Sequence, residues 1–195
     1  MSLETSKAMH RRWREESVPW WKYFSGRGID VGSGDDPLSK DPNIMGRALA
    51  FDRDDGDANH LSRHVISFFD FIHASQVLEH MHDPAAALRD WLTVVKPGGY
   101  IIVTVPDWVA YEGMVWPSRW NSDHKSTWSM IYRGSTAPQH IYIPEFLSGL
   151  AAAASVELAR FVDTNYDYTV GTTRDQTLAS EDRVECWNEF VLRRR

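Results

Sequence analysis

The run Tyr100-Ile101-Ile102-Val103-Thr104-Val105 constrains this chain most. Six strand-forming residues without polar alternation predict a strand buried on both faces, and such strands belong to parallel sheets covered by helices on each side. The preceding residues agree. Asp83 is a suitable N-cap and Pro84 a suitable first helical residue. Ala87, Leu88, Trp91, Leu92 and Val95 then form an apolar stripe, which predicts a helix over 84–95. Lys96-Pro97-Gly98-Gly99 ends it before the strand begins. Short apolar stretches predict further strands over 28–31, 47–51 and 69–74, so strand, loop and helix alternate. A helix opening on Pro144 is expected over 144–154. Residues 156–162 and 186–193 read as a closing antiparallel pair, and 164–184 as a polar loop. The expected class is α/β: a doubly wound, mostly parallel sheet with an antiparallel C-terminal strand pair.

Such a sheet binds ligands at the carboxyl ends of its strands. Ile29-Asp30-Val31-Gly32-Ser33-Gly34-Asp35 places glycines there, where a missing Cβ lets a ligand approach the backbone. The turn alone could equally be a tight strand–loop corner. Asp52 follows the next strand, 18 residues after Gly34, near the ~20-residue spacing of acids that bind ribose hydroxyls. Gly56-Asp57-Ala58 could meet a base edge or could be a plain turn.

Ser75-Gln76-Val77-Leu78-Glu79-His80-Met81-His82-Asp83 follows the third strand. Its polar cluster raises a metal site, but no second histidine stands at helical spacing with a supporting carboxylate, so no metal is expected. His80, Asp107 (directly after the strand ending at Pro106) and His124 are candidate general bases. Residues 107–143 are irregular and rich in Trp, Tyr, Pro and His. A loop that long is unusual inside a compact domain. Within it Tyr111, Glu112, Trp116, Trp120, His124 and Trp128 are candidates for an acceptor pocket, or equally for a protein interface. Trp108, Trp116 and Trp120 are the loop tryptophans expected at a pocket.

Taken in order, Asp30 to Asp35, Asp52, Gly56 to Ala58, Phe69-Asp70, Val77 to His80, Asp83-Pro84 and Val95 to Gly99 resemble the class I S-adenosylmethionine-dependent methyltransferases of small molecules. The ending Trp187 to Arg193 is similar to the last strand of that Rossmann-like fold. The resemblance implies that Asp30, Gly32, Ser33 and Gly34 cradle the methionine part of S-adenosylmethionine. It further implies Asp52 on the ribose, Asp57 and Ala58 at the adenine, and Ser75, Gln76 and Val77 on the floor, with S-adenosylhomocysteine as product. Two departures stand out: Asp36-Pro37 replaces the third glycine, and only four residues separate Asp52 from Asp57, too few for the usual helix. The expected reaction is methylation of a hydroxyl on a sugar or secondary metabolite. The alternatives are a non-catalytic cofactor-binding or interaction module, and a nicotinamide-dependent oxidoreductase. The last would want Gly or Ala where Pro37 stands and leaves Lys96 to Gly99 unexplained.

The chain of 195 residues suits one such domain over 27–195, preceded by a helical and aromatic cap segment over 1–26. That segment is expected to form a helix over 5–16 and then, through Trp20, Trp21, Tyr23 and Phe24, to pack on the sheet edge or act as a lid. A net charge of −6 argues against a nucleic-acid partner, despite arginines near both ends. The lone Cys186 excludes an internal disulfide and a cysteine zinc cluster. No apolar run reaches membrane-spanning length, and residues 1–25 lack a signal-peptide core, so a cytoplasmic location is expected. A homodimer through the aromatic N-terminal segment is compatible with the sequence, which does not demand it.

Overall fold

The computed structural model describes residues 3–178 and 183–195. Strands β1 (Gly28–Val31), β2 (Ala48–Phe51), β3 (Phe69–Ser75), β4 (Val95–Pro106), β7 (Ala154–Val162) and β8 (Trp187–Arg194) form one sheet in the order β2-β1-β3-β4-β8-β7. Pairing is parallel from β2 to β4, and β8 runs antiparallel to both β4 and β7. The expected doubly wound sheet and closing pair are both present. Two short strands, β5 (Thr127–Ser129) and β6 (His140–Tyr142), pair in parallel within the segment read as irregular. The helix expected over 144–154 is shorter, α4 (Ile143–Ser148). The polar loop over 164–184 contains 3-10 turns at Gly171–Thr173 and Gln176–Leu178, and its residues 179–182 lie outside the described ones.

Helix α3 (Pro84–Val94) has the expected N-cap, the Asp83 carboxylate accepting from the Ala86 N–H. Its exit differs from expectation. Strand β4 begins at Val95, opposite Phe69, and resumes with Tyr100 opposite Phe71, so residues 96–99 bulge within the strand. A Cβ on Gly99 would stand 2.6 Å from the Asp70 carbonyl oxygen, which explains the glycine there.

Both faces of the sheet are covered. Ile29, Ile72, Ile101 and Phe190 pack with Leu88 and Trp91 of α3 and Leu147 of α4. The opposite face, carrying Phe71, Tyr100, Ile102 and Val191, receives Met9 from α1 (Glu4–Arg12), Trp20 and Tyr23 from α2 (Trp20–Tyr23), and Phe24 directly after it. Phe24 meets Phe71 edge-on at 5.5 Å. The aromatic segment therefore covers a sheet face and not an edge. The reason lies in the β1–β2 and β2–β3 connections, which hold 3-10 turns (Leu38–Lys40 and Ala58–Arg63) in place of full helices. The N-terminal helices supply the missing layer.

A buried polar chain crosses under that layer. Glu189 on β8 accepts from Arg12 Nε at 2.8 Å, Arg11 Nη2 at 2.9 Å and Arg160 Nη2 at 2.7 Å. Arg12 Nη1 lies 3.1 Å from His73 Nε2, and His73 Nδ1 lies 2.7 Å from Asp30 Oδ1. Asp30 Oδ2 accepts the Leu38 N–H at 2.6 Å. The chain joins α1 to β8, β3 and β1, and ends beside the glycine turn. Among the described residues no helix is long and apolar enough to cross a membrane.

Candidate functional site

Strand β1 stops at Val31, and Gly32 turns the chain with φ +69°. The Gly32 N–H donates to the Phe51 carbonyl at 2.8 Å, pinning the turn to the end of β2. A Cβ on Gly32 would meet Val77 Cγ2 at 2.2 Å, so position 32 needs glycine for both conformation and space. Gly34 N–H donates to Asp52 Oδ2 at 2.9 Å, and Asp52 Oδ1 accepts the Arg53 N–H at 2.8 Å. The acid 18 positions on thus sits against the glycine turn. Gly32→Ala is expected to lower stability by about 1–3 kcal/mol, through strain and overpacking together, which urea unfolding would measure.

A cleft of about 650 Å³ opens along the carboxyl ends of β1, β2 and β3. That lies within the range of small-ligand sites. Gly32, Gly34, Asp52, Asp57, Ala58, Gln76 and Val77 line it, seven of the ten residues expected to hold the cofactor. Phe51 and Met81 add apolar surface, and Arg53, Asn59, His80, His82, Asp123 and Lys125 add polar wall. Gln76 has a left-handed backbone, φ +57°, with its N–H on the Thr104 carbonyl at 3.0 Å. Such strain in a non-glycine residue is typical of ligand sites. Asp57 caps its own turn through Asn59, whose hydrogen bonds hold its carboxyl below the ordinary range. The Ala58 carbonyl accepts from the Trp91 indole at 2.7 Å.

The other three lie elsewhere. Asp30 is buried in the polar chain, Ser33 is buried outside the lining, and the Ser75 hydroxyl turns to Thr104 Oγ1 at 3.0 Å. Asp30 supports the turn from behind by holding Leu38. Asp36, in place of the third glycine, accepts from the Ser6 N–H and hydroxyl, so the N-terminal helix α1 is fastened just beyond the turn.

Of the three expected bases only His80 reaches the cleft. Asp107 is buried, and its carboxylate already accepts from Val109 N, Ala110 N and Asn188 Nδ2. Burial nonetheless raises its pKa above the ordinary carboxylate range. His124 is buried with Nδ1 2.7 Å from Glu112 Oε1 and its ring edge-on to His80 at 4.9 Å. Beside both rings stands Glu79, fully buried, whose carboxyl burial pushes up to about 8. The sequence offered Glu79 and His80 together, but not the return of His124 from 44 positions further on.

None of the six residues expected to form an acceptor pocket lines the apolar cavity at the ends of β4 and β7. Trp128 is fully buried, edge-on to Phe146 at 5.1 Å, and Trp108 and Glu112 are buried too. That second cavity, of about 380 Å³, is lined by Asp107, Val109, Ala110, Met114, Met130, Tyr132, Phe161, Tyr166 and Tyr168 among others. Tyr166 is missing from any motif, and its signal would have been only the aromatic pair Tyr166 and Tyr168 in a polar loop.

A glycine turn, a following acid and a cleft at the carboxyl rim of a doubly wound sheet define a nucleoside-binding α/β protein. The model of a methyltransferase domain matches residues 10–154. The chain belongs to that family, and it is a class I S-adenosylmethionine-dependent methyltransferase. Solved structures of the same fold include an S-adenosylmethionine-dependent methyltransferase from Archaeoglobus fulgidus, at 15% identity over 100% of this chain and 95% of that one, TM-score 0.63. Another from Mesorhizobium loti shares 15% identity over 96% of this chain and 98% of that one, TM-score 0.57. No curated protein sequence matches.

Proposed function

We propose that the cleft beside Gly32 and Asp52 binds S-adenosylmethionine, and that the methyl acceptor is a hydroxyl group of a small, largely apolar metabolite. The residues present fit that cofactor. Asp52 keeps acceptor capacity for ribose hydroxyls beside its two backbone bonds, since a carboxylate offers about four acceptor sites. The Gly32 and Gly34 backbone admits the methionine part, Phe51, Val77 and Met81 offer apolar surface to adenine, and Asn59 and Asp57 stand at its edge. Bound there, S-adenosylmethionine supplies a sulfonium-activated methyl group. The protein's part is to hold an acceptor oxygen about 3 Å from that methyl and to keep water away.

The second cavity carries the acceptor reading. It opens on the same rim as the cleft, and its Tyr132, Phe161, Tyr166, Met114 and Met130 lining suits an aromatic or otherwise apolar hydroxylated compound better than a free sugar. A net charge of −6 supports a small molecule over a nucleic acid. Release of S-adenosylhomocysteine against a panel of hydroxylated aromatics, alicyclic alcohols and sugars tests this. Turnover with the apolar members supports it, and turnover confined to sugars or to macromolecules overturns it. Filling the cavity with Val109→Trp is expected to raise the acceptor KM about tenfold or more while S-adenosylhomocysteine affinity stays within about twofold, an effect of one lost apolar subsite. Steady-state kinetics beside a binding titration would check it.

A further inference from the structure

Where the long loop meets the cleft wall, Glu79, His80 and His124 converge, and we propose that they bind a divalent transition-metal ion, with zinc the best match to the donor set. The ion would tie the segment around residues 112–125 to the turn at Leu78–His80 and so build the wall of the cleft.

Glu79 gives the first reason. Its side chain is fully buried, and among the described residues neither carboxylate oxygen has a hydrogen-bond partner. Ionised, it lacks a bonded counter-charge. Protonated, its O–H has no acceptor. Buried polar groups are almost always satisfied, so a group beyond the chain's own atoms belongs here.

The imidazoles give the second. His80 Nε2 lies 3.8 Å and His124 Nε2 3.9 Å from Glu79 Oε1. Both gaps are too long for a hydrogen bond. Both lie between the ~3.4 Å that separates two donors of a tetrahedral zinc site with bonds near 2.1 Å and the ~4.2 Å limit of a linear pair. One donor atom from each residue lies within 4.8 Å of the others, and side-chain rotation closes the remainder.

The third reason is how the rings are held. His124 Nδ1 is 2.7 Å from Glu112 Oε1, and His80 Nδ1 is 3.2 Å from the Asp123 carbonyl oxygen. Each acceptor requires a proton on Nδ1, and in the neutral rings that leaves the Nε2 lone pairs free and facing Glu79. A carboxylate or carbonyl behind a ligating histidine is the usual support of a metal site. Glu112 Oε2 is also buried and, among the described residues, unpartnered, so a divalent cation would balance the two buried carboxylates Glu79 and Glu112. Two imidazoles and a carboxylate suit zinc over magnesium or calcium. The backbone is already clamped here, with Lys125 N and Ser126 N donating to the Glu79 carbonyl at 2.8 and 3.2 Å. On this account His80 is a ligand at the cleft wall and not a free base.

Metal analysis of untagged protein, purified without chelator and then stripped and titrated with zinc, tests the inference. The expected result is close to one zinc per chain, a zinc-dependent rise in Tm, and loss of both in Glu79→Gln. Glu112→Gln should weaken zinc binding by ~10–100-fold, as removal of a supporting group does. His60→Ala, an exposed histidine outside the cluster, should change nothing. Should Glu79→Gln fail to fold, cobalt substitution of the unaltered protein replaces it, with a four-coordinate visible spectrum expected. Absence of retained zinc and of any Tm response, zinc content that survives Glu79→Gln, or a six-coordinate cobalt spectrum would each overturn the proposal. Zinc content should be unchanged in Asp52→Ala, so failure of the metal site and failure of the cofactor cleft are read separately.

Discussion

Asp52→Ala is expected to weaken S-adenosylhomocysteine binding on the order of a hundredfold, with the fold intact. The ribose hydroxyls would lose a charged acceptor. Hydrogen bonds to charged groups contribute about 1.5–3 kcal/mol each, and each 1.4 kcal/mol is tenfold in affinity. The same change frees the Gly34 N–H, now held by Asp52 Oδ2 at 2.9 Å, and so loosens the turn that receives the methionine part. Asp52→Asn keeps the shape and one acceptor oxygen, so it should fall between, near tenfold. Calorimetric titration of the three proteins checks the order. Equal affinity in all three would remove Asp52 from the site.

Glu189→Gln should have the largest effect on stability, a loss of about 3–5 kcal/mol, the cost of breaking a buried ion pair from one side. Glu189 is fully buried, and so is its partner Arg12, which would be left charged without a counter-ion. Burial works against the Glu189 charge, but Arg12, Arg11 and Arg160 together bring its carboxyl down to about 2. Because this pKa lies below the unfolded value of about 4.3, the contribution is complete above pH ~4.5. It is lost as pH falls from there toward 2, amounting to about 3 kcal/mol. Urea unfolding at pH 7 and at pH 3 measures both. Between these values the variant should lose about 2 kcal/mol less stability than the unaltered protein, because at pH 3 a carboxyl with a folded pKa near 2 has given up just over half of its contribution.

These two residues show what a sequence discloses and what it hides. The place of Asp52 against the glycine turn is legible because strand end, turn and acid are local features whose spacing follows from the sheet. The Tyr100 to Val105 run and the Asp83-Pro84 cap were legible for the same reason. Glu189 was not. It lies mid-strand in Trp187-Asn188-Glu189-Phe190, and its three arginine partners stand 178, 177 and 29 positions away. Asp30 misled in the opposite direction. Its place in the glycine motif suggested a ligand contact, whereas His73 and Leu38, unseen in any local pattern, draw its carboxylate into the core. The bulge at 96–99 escaped because Pro97-Gly98-Gly99 reads as a helix stop whether or not strand pairing has already begun at Val95. The Glu79, His80 and His124 cluster depends on where a long irregular loop returns, which periodicity does not encode.

A crystal structure with S-adenosylhomocysteine tests the central claim most directly. The ribose hydroxyls should lie within hydrogen-bonding distance of the Asp52 carboxylate, with the homocysteine part over Gly32 and Gly34 and the sulfur facing the second cavity. A ligand bound elsewhere on the protein, or one in the cleft with Asp52 out of its reach, would contradict this account.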